Sequence, residues 1–268
     1  MFLFIFIIYT QIIAILGSLI NLIIPVDLIW WMDRLFSKSL GINIIEHKKS
    51  ENLSPLTKVI LVNHRSFTDF FIDGYALGRV SYLSRWLVAI ICPFAGIYGW
   101  LSGKVLFFNR GKTSRHRLAY LIKDHIQARD GVPIIIYPEG HRNTQQHSLV
   151  LKHGGLKMCY EEGWPVQLMI LTNKEDVIAE KKWHLSFGIT CRKIVSKVIY
   201  PNNFSDFESF YDHIVADWDH HWDKAYHDKN DQFLPKTIKP PVLKLEFSTR
   251  VIYAWGVIIF FILGYYLF

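Results

Sequence analysis

Apolar positions fall in two long terminal runs and several short interior ones. Residues 2–24 carry no charged side chain. As a helix, residues 1–24 would span about 36 Å, against a hydrocarbon core of about 30 Å. With no basic start and no small-residue cleavage site, this run reads as a retained anchor rather than a signal peptide. Residues 251–268 are also uncharged. They would reach only about 27 Å, which suits a marginal spanning or re-entrant segment. Between the ends, 28–40 sets Trp30, Trp31, Met32, Leu35 and Phe36 beside Asp33, Arg34 and Lys38. That amphipathic pattern fits a helix in the membrane interface and a helix packed on the core equally well.

The interior runs have the length and makeup of buried strands: 57–62, 105–108, 134–137 and 165–171, with strand-like runs over 185–199. Helical stretches stand between them. Ser66-Phe67-Thr68-Asp69 is a capping-box pattern that predicts a helix opening at Ser66 and running through Ala76. Further helices are predicted over 113–128 and from 152 towards 160. Another covers 205–228, where Phe207, Phe210, Tyr211, Ile214, Val215, Trp218, Trp222 and Ala225 recur at helical spacing. Residues 80–102 are nearly all apolar, but Pro93 and Gly96 interrupt them, so this stretch is expected to form an apolar wall or a membrane-dipping helix. Strands alternating with helices predict an α/β fold: a mixed, partly parallel sheet flanked by helices, with N-terminal and C-terminal membrane helices. The expected division is an anchor and interfacial helix over 1–49, a catalytic domain over 50–235, and a linker and membrane segment over 236–268.

Composition sharpens the membrane reading. Of 268 residues, 51% are hydrophobic and 15% aromatic, much of the excess lying at the two ends. The chain length suits one catalytic domain with appendages. Arg34, Lys38, Lys48 and Lys49 follow the first apolar run, and Lys236, Lys239, Lys244 and Arg250 precede the second. The positive-inside tendency then places the central domain on the cytoplasmic face, with endoplasmic reticulum and mitochondrial membranes both admissible. The net charge of +7 suits anionic lipid headgroups. Nucleic acid is not an expected partner, because no basic stripe is interleaved with a binding motif. Cys92, Cys159 and Cys191 are far apart and unpatterned, which argues for a reducing compartment and against metal fingers. His220, Asp223 and His227 would share one helix face, yet nothing near them completes a site. A solvated face is expected there, and no metal.

The chemistry concentrates at strand ends. The run ending at Val62 stops at Asn63 and His64, and His64 can meet Asp69 only if the chain turns between them. One reading makes Asp69 a helix cap and His64 a polar strand end. In the other, Asp69 fixes the tautomer of His64 and leaves the second ring nitrogen as a general base for a substrate hydroxyl. Arg110 follows the strand at 105–108, and Glu139-Gly140-His141-Arg142 follows that at 134–137. In an α/β sheet such ends gather along one edge, so these groups could converge on one pocket.

Their order and spacing resemble the glycerolipid acyltransferase family that includes the 1-acylglycerol-3-phosphate O-acyltransferases. Asn63, His64 and Asp69 match its first block, Gly103 to Arg110 its second, and Pro138-Glu139-Gly140-His141-Arg142 its third, with His141 in place of the usual threonine. Lys152-His153-Gly154 matches a downstream Lys-Gly pair, and the fourth block keeps Pro165 but has Leu168 where a second proline is usual. The likeness covers about residues 50–215. It implies transfer of a fatty acyl group from acyl-CoA, as co-substrate, to the free hydroxyl of a lysophospholipid, with lysophosphatidate the favoured acceptor and no cofactor. His64 would be the base and Asp69 its holder. Arg110, with Arg142, would bind phosphate; Glu139 would orient Arg110 or the acceptor's hydroxyls; Gly140 would let the backbone approach closely, and His141 would line the acceptor pocket. Remodelling of another lysophospholipid, or a non-catalytic lipid-holding subunit of a membrane complex, are the alternatives.

Overall fold

The computed structural model describes residues 2–24, 28–109, 111–179, 182–238, 240–241 and 251–259. Its centre is β2 (Val59–Val62), four apolar residues that are all fully buried. A strand covered on both faces reads as an unbroken apolar run, which is why this one needs no alternation. It pairs in parallel with β5 (Ile134–Ile136) on one side and β6 (Val166–Leu171) on the other.

The sheet widens from that centre. Towards one edge, β5 pairs with β3 (Ser81–Arg85), and β3 with β4 (Val105–Phe108), all parallel. Towards the other, β6 pairs antiparallel with β9 (Thr190–Val195), β9 parallel with β1 (Asn43–His47), and β1 antiparallel with β10 (Phe233–Pro235). The order is therefore β10-β1-β9-β6-β2-β5-β3-β4, eight strands among the described residues. A separate hairpin joins β7 (Ile178–Ala179) and β8 (His184–Leu185).

Period-2 alternation assigns the two faces. Ile60 and Val62 join a cluster with Trp30 and Phe36 of α2 (Ile29–Ser39) and Phe71 and Ile72 of α3 (Asp69–Leu77). Val59 and Leu61 face the opposite cluster, built from α6 (Arg115–Ala128), α7 (His153–Glu161) and α9 (Phe207–His227). In α9, Asp206 caps the first turn by accepting from the Ser209 N–H at 2.8 Å, and Phe210, Ile214, Trp218 and Trp222 are buried at helical spacing.

Four expectations change. Residues 80–102 hold a strand, β3, before two short helices, α4 (Trp86–Ile91) and α5 (Pro93–Leu101). Ser81, Ser84 and Arg85 hid the strand, because polar residues at a sheet end break the apolar run. Residues 43–47 form β1, so the sheet starts before residue 50, ahead of the expected catalytic boundary. Buried Trp30 and Phe36 place residues 28–40 on the core. Helix α3 begins at Asp69, not Ser66, and its N-cap Thr68 makes no side-chain cap bond.

Helix α1 (Phe2–Ile23) is, among the described residues, the one helix long and apolar enough to cross a membrane. It lies against α5: a Cβ on Gly17 would come within 3.0 Å of the Tyr98 ring and 3.1 Å of Met32 Sδ. Residues 251–259 are helical, and Trp255 Nε1 donates to the Leu22 carbonyl at 2.7 Å. The rest of the expected C-terminal segment, 260–268, lies outside the described residues.

Candidate active site

Asn63, the first residue past β2, ties that strand end to β6. Its Oδ1 accepts from the Leu171 N–H at 2.9 Å, and its Nδ2 donates to the Leu171 carbonyl at 3.1 Å. His64 follows and is clamped through its backbone. Its N–H donates to Glu139 Oε1 at 3.1 Å, while its carbonyl accepts from the Asn143 N–H at 2.7 Å. The loop after β5 therefore fixes the main chain of the residue after β2.

The side chain of His64 is held separately. Its Nδ1 lies 2.6 Å from Asp69 Oδ2, and its ring stacks on Tyr137 at 4.4 Å between centroids. The ring keeps 24% of its surface exposed, while Asp69 has none. An ionised carboxylate only accepts, so Nδ1 carries the hydrogen and Nε2 is left with its lone pair. That is the arrangement of an oriented general base.

Asp69 reaches this position because the chain turns before α3. The backbone N–H groups of Arg65 and Ser66 donate to its Oδ2 at 2.8 Å and Oδ1 at 3.1 Å. The hydroxyls of the expected capping box are engaged elsewhere. Ser66 Oγ donates to the Ile178 carbonyl at 3.2 Å, and Thr68 Oγ1 to the Lys174 carbonyl at 3.1 Å. Both bonds fasten the turn to the start of α8 (Lys174–Val177) and to β7.

Beneath Asp69 lies a residue that motif reading did not single out. Lys174 Nζ, fully buried, is 2.8 Å from Asp73 Oδ1, 3.0 Å from Asp73 Oδ2, 3.3 Å from Asp69 Oδ1 and 2.8 Å from the Asn63 carbonyl. Asp73 also accepts from the Tyr137 hydroxyl at 3.0 Å. Burial alone would raise the Asp69 carboxyl, but the Lys174 charge and the His64 bond outweigh it and hold the group below its ordinary range. Asp73 is pushed up to about 7, mainly by burial. Burial opposes the charge on Lys174, and Asp69 and Asp73 more than restore it.

The third block divides. Glu139 is fully buried, and burial pushes its carboxyl up to about 7. Its Oε1 accepts from the His64 N–H, so the carboxyl braces the main chain of the residue after β2. Gly140, His141 and Arg142 are exposed. Gly140 has φ +74°, and a Cβ there would lie 3.2 Å from Lys152 Cγ. Arg110 lies outside the described residues; Asn109 before it follows β4 on the same edge of the sheet as His64. Arg85, exposed at the end of β3, shares that edge, and sequence reading missed it because β3 was not recognised.

Arg65 looks inward. Its guanidinium pairs with Glu175 through two nitrogens, donates to the Gln145 carbonyl at 2.6 Å, and lies 5.5 Å and 5.4 Å from the ring centroids of Trp222 and Tyr226 on α9. On the other side of the turn an apolar cavity is lined by Phe67, Phe70 and Phe71 near the site and by Val88, Tyr98 and Val105 farther along. The helix face of His220, Asp223 and His227, expected to be solvated, holds an exposed His227–Asp223 pair at 3.0 Å.

The family described as Acyltransferase matches residues 44–171. A 1-acyl-sn-glycerol-3-phosphate acyltransferase of Haemophilus influenzae is 23% identical over 180 residues, covering 66% of this chain and 70% of that protein. Over residues 44–171 the chain is therefore similar to acyltransferases of the PlsC type. The crystal structure of the 1-acyl-sn-glycerophosphate (LPA) acyltransferase PlsC from Thermotoga maritima shares the fold, with a TM-score of 0.62 at 16% identity over 75% of this chain and 80% of that one. These likenesses support an acyltransferase of lipid biosynthesis.

Proposed function

We propose that this chain transfers a fatty acyl group from acyl-CoA to the free hydroxyl of a lysophospholipid, lysophosphatidate being the favoured acceptor. The observation that carries the reading is the 2.6 Å contact of His64 Nδ1 with buried Asp69, which leaves Nε2 available at a partly exposed ring. A hydroxyl is a poor nucleophile, and a positioned base supplies roughly 10²- to 10⁴-fold. Nε2 takes the acceptor's proton as its oxygen attacks the thioester carbon, and Asp69 stabilises the imidazolium. Collapse of the tetrahedral intermediate then expels the CoA thiolate.

Each substrate class has a matching surface. The apolar cavity beginning at Phe67 suits an acyl chain, at about 0.8 kcal/mol per buried methylene. Arg85 and Arg142 supply cations along the catalytic edge for a phosphate headgroup, and the family motif makes Arg110 a third candidate. Helix α1 suits a membrane anchor, which brings that edge to a bilayer that holds the acceptor. The catalytic unit then faces the cytoplasm.

The test is thiol release by purified full-length protein from acyl-CoA, across a panel of lysophospholipids, for wild type and His64→Ala. Lysophosphatidate-dependent release that disappears in the variant supports the reading. Equal release by the variant, or none by wild type with any acceptor, overturns it.

A further inference from the structure

The catalytic pair accounts for His64 and Asp69 but leaves a fully buried lysine behind them unexplained. An ammonium is costly to bury unless it is paired, and Lys174 has no exposed surface. It meets both carboxylates of α3, Asp69 and Asp73, one turn apart on the same face. It also holds the Asn63 carbonyl, one residue before His64.

We propose that Lys174 is a positioning residue for acyl transfer: its ammonium fixes the Asp69 carboxylate against His64 and opposes protonation of the ring before substrate arrives, with Asp73 as its second anchor. The inference rests on the reading of His64 as the base.

The charges around it set the sign. From α3 come Asp69 and Asp73; from the ends of β2 and β5 come His64, Tyr137 and Glu139; from its own segment, Glu175, which is engaged with Arg65. Below about pH 7 Asp73 carries its proton. The positive charge of Lys174 is then set against Asp69 alone, and it disfavours a second positive charge on the adjoining ring. Removing it eases protonation of that ring, so the acid limb of the rate profile moves to higher pH.

The experiment compares kcat/KM against pH for wild type, Asp73→Asn and the double variant Lys174→Met with Asp73→Asn, using palmitoyl-CoA and lysophosphatidate. The double variant leaves no buried carboxylate without its lysine at position 73, which favours folding. The expected result is an acid limb moved up by about one unit in the double variant, with kcat down more than about 10-fold and the acceptor KM little changed. In Asp73→Asn alone the limb stays in place. An unmoved limb in the double variant, or an equal shift in Asp73→Asn, overturns the proposal. The imidazole resonance of His64, assigned by its loss in His64→Ala and followed against pH in the same proteins, carries the same comparison without turnover. Failure of acyl transfer in wild type would therefore count against the reading of His64 and not against this one.

Discussion

His64 and Asp69, five positions apart, meet at 2.6 Å because the backbone turns through Arg65 and Ser66 and donates both of their N–H groups to the same carboxylate. Asp69 thus closes the turn that delivers it to the imidazole. Replacing either residue separates the two roles. His64→Ala is expected to lower kcat/KM by roughly 10²- to 10⁴-fold with little loss of stability, since the ring is partly exposed. Asp69→Asn is expected to lose a similar factor, because the amide can present a donor to Nδ1 and favour the wrong tautomer. Steady-state thiol release and a thermal melt on each variant check both.

Glu139 predicts a pH-dependent stability. Its folded carboxyl titrates near 7 against an ordinary 4.5, so between those values the native state binds more protons than the unfolded chain. Stability then falls as pH rises through that window and levels off above it. Glu139→Gln keeps an acceptor for the His64 N–H and removes the ionisation. It is expected to match wild type near pH 4.5 and to be more stable at pH 8 by on the order of 2–3 kcal/mol. Asp73, also raised to about 7, leaves a residual slope of the same sign in the variant. Denaturant unfolding at the two pH values decides it; an undiminished slope would be against it.

Lys104 and Asp33 form a buried ion pair in the wall of the apolar cavity. Lys104→Met alone removes the cation of this buried pair and is expected to cost about 3–5 kcal/mol. Adding Asp33→Leu removes the carboxylate as well and should restore most of that loss. A double variant no more stable than the single one would contradict the pairing.

Arg65 joins the His64 turn to α9 through Glu175, Gln145 and the faces of Trp222 and Tyr226. A lysine supplies one point charge and cannot form the two-pronged pair. Arg65→Lys is therefore expected to destabilise the protein by about 2 kcal/mol, with chemical unfolding as the check, and to raise protease sensitivity in the 141–148 loop. An unchanged cleavage rate there would show that Arg65 does not hold the loop.

The sequence by itself determined what short-range physics controls. Apolar runs marked β2, β4, β5 and β6, helical spacing marked α9, and the polar residues at three strand ends marked the candidate edge. The His64–Asp69 pair was legible because only a turn separates its members. The tertiary structure alone decided that β1 and β3 enter the sheet, and that β9 runs antiparallel. It also decided that Glu139 braces His64 from 75 positions away and that Lys174 meets Asp73 across 101. Such pairings depend on which strands end beside one another. A hydrophobic period records which face of an element is buried, but it says nothing of what lies against that face.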